Sequence, residues 1–144
     1  MSDFLAAALQ LTSTSDVEGN FSAAEEQIEL AARRGAELVG LPENFAFLGD
    51  DQKRLEISSS LSEKCSRFLI TMARRYQVVL LGGGFPVPAG DGTHTLNRSE
   101  LIGRDGQLLA RYDKIHLFDV DLPEGNTYRE SATYFSGTES PPVV

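Results

Sequence analysis

An α/β fold is what this sequence of 144 residues predicts, and three features of its patterning carry that expectation. Short apolar runs at residues 4–11, 37–41 and 78–81 have the length and residue types of buried strands. Between them lie two longer segments whose apolar residues recur at helical spacing. After the third run, two strand-like stretches flank an Asp-Gly turn. Strands alternating with helices in this way point to a sheet whose faces are covered by helices.

The first run, Phe4 through Leu11, is closed by turn formers at residues 12–16 and suits a strand buried on both faces. Asn20 can cap a helix in which Phe21, Ala24, Ile28 and Ala31 make one face, and Gly35 offers its C-terminal stop. The second strand ends at Pro42, which lacks the N–H that a central ladder needs. From Leu61, the residues Cys65, Phe68, Leu69, Met72, Ala73 and Tyr76 form a second helical stripe, with Ser60 and Glu63 as a capping box before it. The third strand runs into Gly82, Gly83 and Gly84, where the chain can turn or be approached closely. Residues 95–102 and 107–112 then make a hairpin about 103–106. Beyond Tyr112, Asp, Pro, Gly and Asn with scattered aromatics form a long loop region, more typical of a functional rim than of a core. Residues 141–144, Pro-Pro-Val-Val, read either as a strand cut at its start or as a natural terminal strand.

Composition narrows the function. With 41% hydrophobic and 24% charged residues the chain is an ordinary globular domain. Thirteen Lys and Arg against 21 Asp and Glu give a net charge of -8, which repels phosphate backbones and anionic membranes, so a nucleic-acid or membrane partner is not expected. Cys65 is the single cysteine, so no intrachain disulfide can form, and no Cys and His cluster has metal-ligand spacing. No export signal and no apolar stretch of the ~20 residues of a membrane span is visible, and a cytoplasmic location is expected.

In such sheets ligands bind beyond the carboxyl ends of the strands. Two charged residues stand there: Glu43, between Pro42 and Asn44, and Lys114, just past the second hairpin strand. Alone, each is more often a solvated surface charge. Together they have a chemical use, because a held carboxylate can act as a general base and an ammonium can stabilise negative charge developing on a substrate.

Leu-Pro-Glu-Asn at 41–44, Gly-Gly at 82–83, Tyr-Asp-Lys-Ile-His-Leu-Phe-Asp at 112–119 and Tyr-Arg-Glu-Ser at 128–131 occur in that order. In this the chain resembles the nitrilase, or carbon-nitrogen hydrolase, superfamily over essentially its whole length, and residues 114–131 resemble its deaminated-glutathione amidase and ω-amidase branch most. The resemblance implies the N-terminal half of an αββα four-layer sandwich and a Cys-Glu-Lys constellation that hydrolyses non-peptide C–N bonds of a small linear amide through a thioester. It implies no cofactor. Glu43 would be the general base, Lys114 the group that stabilises the tetrahedral intermediate, and Glu130 a supporting carboxylate that orients Lys114 or the substrate. It also implies that the nucleophilic Cys lies on a strand beyond Val144, that residues 1–144 are a partial domain inactive alone, and that the intact protein is a homo-oligomer.

Cys65 cannot stand in for that nucleophile, because it sits in the apolar stripe of a helix, where an unpaired cysteine is core. His116 lies two residues from Lys114 and lines a pocket or merely packs; His94, in a Gly-flanked loop, is expected to be solvated. The glycines at 82–84 lack the Lys-Ser/Thr of a phosphate-binding loop and are expected to serve turn geometry. The competing reading is a non-catalytic family member that binds a metabolite or a partner chain through the same surface.

Overall fold

The computed structural model describes residues 4–123, 125 and 127–144. Its main sheet has five strands in the order β1 (Ala6–Ala8), β2 (Leu38–Gly40), β3 (Val79–Pro88), β4 (Thr95–Ile102) and β5 (Leu108–Asp113). The first three are parallel, joined through the helices α1 (Val17–Arg33) and α2 (Asp51–Tyr76), and β4 and β5 add antiparallel neighbours. A two-stranded sheet of β6 (Asp119–Asp121) and β7 (Thr127–Arg129) and a 3-10 turn at Glu130–Ala132 follow.

One face of the five-stranded sheet meets the helices. Ile28 of α1 and Leu61, Cys65 and Leu69 of α2 are buried with Val39, Leu80 and Ile102 of the strands. Phe45 completes this core, with its ring edge-on to Phe85 at 6.3 Å and beside Phe21 and Phe68 at 6.2 Å each. On the other face, Leu81, Leu101, Ala110 and Tyr112 lie beside Pro141, Pro142 and Val144. That C-terminal stretch has no strand structure, so the strand read at residues 141–144 does not form there.

Several element boundaries differ from the sequence expectation, each for a local reason. Strand β1 is three residues at the sheet edge, with Phe4 and Leu5 exposed, because only β2 pairs with it. The cap of α1 is Asp16, whose side chain accepts from the Gly19 amide, and not Asn20. Asn20 is instead buried inside the helix, where its amide donates to the carbonyls of Thr14 and Ala46 and ties the two loops at the carboxyl ends of β1 and β2 together. Helix α2 begins ten residues before Leu61, capped by Asp50 rather than by Ser60. Its first turns carry no apolar stripe because the buried positions there are Arg54 and Ser58. The hairpin forms as expected, with Gly106 at φ 81° in its turn.

The glycine run does not end β3. The strand continues through it to Pro88, with a bulge that sets Gly83 and Gly84 opposite Ser99 alone, since Gly82 pairs with Glu100 and Phe85 with Arg98. Beyond Leu81 only β4 pairs with β3, so Pro86 and Pro88 interrupt no second ladder. The bulge brings β3 against the loop after β2: a Cβ on Gly83 would lie 2.0 Å from the Pro42 carbonyl oxygen. Gly83→Ala should therefore lower stability by about 1–3 kcal/mol, read as a lower urea midpoint; an unchanged midpoint would show that the two backbones are not in tight contact.

Candidate active site

Topology explains how residues 71 positions apart meet. Because β4 reverses β3 and β5 reverses β4, β5 runs in the same direction as β2. The carboxyl ends of both strands thus lie at one edge of the sheet. Glu43 stands three residues past the end of β2, in a turn where Asn44 takes the left-handed conformation (φ 58°) and its amide bonds the Gly84 carbonyl at 2.7 Å. Lys114 is the residue immediately after β5.

The three residues expected at the site converge. Lys114 Nζ donates to Glu43 Oε1 at 3.1 Å and to Glu130 Oε2 and Oε1 at 3.0 and 3.1 Å. Glu130 is the most enclosed member, its side chain 14% exposed against 27% for Lys114 and 48% for Glu43. Partial burial pulls the Lys114 ammonium down, but its hydrogen bonds to Glu130 and Glu43 outweigh burial and hold it above the ordinary lysine value. Glu130 also accepts from the Phe118 amide, which fixes the carboxylate to the backbone of the loop that precedes β6. The turn that carries Glu130 is pinned in turn by Asp119, which accepts from the Ser131 hydroxyl and amide; those bonds hold Asp119 below the usual carboxylate range.

Glu43, Lys114 and Glu130 share the wall of a cavity of about 490 Å³ with Arg54, Tyr134 and the aromatic pair Phe118 and Tyr128. Arg54 reaches it from the first turn of α2, bonded to Asp51 and to Thr133 and lying 4.3 Å above the Tyr134 ring. Burial pushes the Tyr134 phenol up to about 12, so it remains neutral and polar at the cavity wall. Neither Arg54 nor Tyr134 was expected from the sequence, since the contact depends on a helix start that apolar periodicity does not mark. Asn97 was missed as well: it is buried in β4 and donates from Nδ2 to Glu43 Oε1. The signal that could have found it is an amide side chain on the same strand phase as the buried Thr95.

The remaining candidates lie elsewhere. Cys65 is fully buried in α2, and burial, with the charge of Glu100, pushes its thiol well above the usual range, the reverse of what makes a nucleophilic thiolate. His116 is exposed and does not line the cavity. His94, expected to be solvated, is partly exposed and also stacks on Phe135 at 4.1 Å and bonds Asp91 at 2.6 Å. Among the described residues no three His, Cys, Asp or Glu side chains group to hold a metal ion, and no helix is long and apolar enough to cross a membrane.

The carbon-nitrogen hydrolase family model matches residues 5–144. The chain belongs to that family. Among its relatives, the deaminated glutathione amidase of Synechocystis sp. is 54% identical over 99% of this chain and 53% of the relative. Thus this carbon-nitrogen hydrolase chain spans about half the length of that relative. The crystal structure of the Caenorhabditis elegans NitFhit protein superposes with a TM-score of 0.84 at 33% identity, covering 94% of this chain and 33% of that one. A mutant amidase from Nesterenkonia sp., whose active-site cysteine carries the acetamide moiety of fluoroacetamide, gives a TM-score of 0.78 at 26% identity, covering 95% and 49%. The expected fold class holds: the helices and sheet described above make an α/β fold similar to part of the αββα fold of nitrilase-superfamily amidases.

Since folded Lys114 binds its proton more tightly than an ordinary lysine, its contribution to stability is complete below the ordinary value of 10.5 and is lost as pH rises through the higher folded-state value. The stability difference between the wild type and Lys114→Met should accordingly stay level from about pH 7 to pH 9 and shrink above about pH 10.5 in urea titrations. A difference that grows with pH would contradict the assignment.

Proposed function

We propose that this chain is the glutamate- and lysine-bearing part of an amidase that hydrolyses a small linear amide through a cysteine thioester. The observation that carries the reading is the single ammonium of Lys114 bonded to two carboxylates, Glu43 and Glu130, on the wall of one cavity. Two carboxylates and one ammonium leave a net charge of -1, so the cluster has the capacity to accept one proton.

In the proposed reaction the nucleophilic sulfur comes from outside residues 1–144, because Cys65 is sealed in the core. Glu43 takes the thiol proton as sulfur attacks the amide carbon, and the carbonyl π electrons move to oxygen. Lys114 stabilises the resulting oxyanion, and Glu130 holds Lys114 in place. Collapse of the tetrahedral intermediate breaks the C–N bond, with the proton on Glu43 passing to the departing nitrogen, which leaves as ammonia. Glu43 then deprotonates a water that attacks the thioester, and the proton returns to the sulfur as the acid is released. No cofactor is needed for this sequence, since every proton and electron pair is accounted for by the substrate, water and the three side chain types.

The proposed substrate class is an ω-amide of a dicarboxylic acid or a peptide-like amide, supported by the 54% identity to a deaminated glutathione amidase. Nitriles and N-carbamoyl compounds are the competing classes. We assign residues 1–144 as a partial domain that is inactive alone, and the intact enzyme as a homo-oligomer.

Joining the C-terminal half of the Synechocystis relative behind Val144 tests this directly. The chimera should release ammonia from ω-amides, the 144-residue chain alone should not, and Glu43→Gln or Lys114→Met should lower kcat about a hundredfold to a thousandfold. A folded chimera that releases ammonia from no amide overturns the proposal.

A further inference from the structure

The two oxygens of Glu43 are not equivalent. Oε1 accepts from Lys114 Nζ at 3.1 Å and also from Asn97 Nδ2, whereas Oε2 accepts from no group among the described residues. The Glu43 side chain as a whole is 48% exposed. A carboxylate turns freely about its terminal torsion, which is broad and roughly two-fold, unless donors fix it. Here two donors converge on a single oxygen, and only one of them, Lys114, is also charged and facing the cavity.

Asn97 is placed to do this by more than its side chain. It is 4% exposed, and its backbone carbonyl accepts from the Lys114 amide at 2.8 Å. One residue of β4 therefore fixes the position of Lys114 through the main chain and the orientation of Glu43 through the side chain. The bulge in β3 makes room for this pairing: a Cβ on Gly84 would lie 2.0 Å from Asn97 Oδ1 and 3.1 Å from Glu43 Cγ. Asn97 itself does not line the cavity.

We propose that Asn97 is a positioning residue that locks Glu43 Oε1 and so makes Oε2 the oxygen that takes the proton of the nucleophile. The inference rests on the amidase reading for its chemistry, but its geometry stands apart from it. Asn97 acts through Glu43 and does not line the cavity, so its loss turns the base without removing any residue from the cavity wall.

The test has two arms. In the 144-residue chain, NMR of the Asn97 side-chain amide should show one Nδ2 proton shifted downfield and protected from exchange. Asn97→Leu, of similar size but with no donor, should split or broaden the Glu43 Cδ signal as the carboxylate turns. Asn97→Asp, isosteric with an oxygen in place of Nδ2, serves as the second variant and should have the same effect. Two freely exchanging Nδ2 protons, or a Glu43 signal untouched by both variants, overturns the proposal. In the protein completed with its cysteine-bearing half, either variant should lower kcat about 10-fold to 100-fold with KM within about twofold. A change in KM alone, or none in kcat, overturns it. If the wild-type completed protein releases no ammonia, the amidase reading fails while the NMR arm still decides the role of Asn97.

Discussion

The ammonium of Lys114, held between the carboxylates of Glu43 and Glu130, is the constraint on which the arrangement of this molecule depends. It joins three segments that are remote in sequence: the turn after β2, the end of β5 and the 3-10 turn after β7. Removing a charge from water is costly unless partners replace the lost hydration, and losing one member of such a cluster leaves the others uncompensated. Lys114 is only partly enclosed, so solvent shares that role, but Glu130 is mostly buried and depends on Lys114 and the Phe118 amide. The cluster is therefore cohesive: the groups that hold the loops together are those proposed to move a proton.

Much of the sheet serves to bring these charges to one edge. Parallel β2 and twice-reversed β5, with two strands between them in the sheet, end at the same side of it, and β4 between β3 and β5 carries Asn97 to the same place. Gly83 and Gly84 permit the approach, because side chains there would occupy the positions of the Pro42 carbonyl and the Asn97 amide. The bulge they form also shifts the register by one residue, so that Phe85 falls on the helix-facing side and packs against Phe45, two residues after Glu43. The core and the site thus share the Pro42-Glu43-Asn44-Phe45 corner: Phe45 anchors it from beneath while Glu43 faces the cavity.

The sequence made legible what depends on local pattern and on order along the chain. The strand-helix alternation, the Asp-Gly hairpin, the core position of Cys65 and the stations of Glu43 and Lys114 beyond strand ends all follow from periodicity and turn chemistry. The likeness to a known family marked Glu130 and predicted which charges would meet. What escaped is long-range in origin. Helix α2 starts at Asp51 because Arg54 and Ser58 find polar partners, Arg54 on Thr133 and Asp51, which no apolar stripe announces. Asn20 looked like a cap because its type favours caps, but the carbonyls of Thr14 and Ala46 offered it a buried site. The glycine run read as a turn or a place of close approach; the close approach holds at Gly83, but the bulge, which needs a partner strand to define it, has no signature in one strand alone.

The most direct test of the cluster is an NMR titration of the Lys114 Nζ in the 144-residue chain, with Glu130→Gln alongside. The wild-type ammonium should keep its proton beyond the ordinary lysine value of 10.5, and the loss of the Glu130 charge should bring its titration down. A Lys114 that titrates as a free surface lysine and does not respond to Glu130→Gln would contradict the convergence on which the account rests.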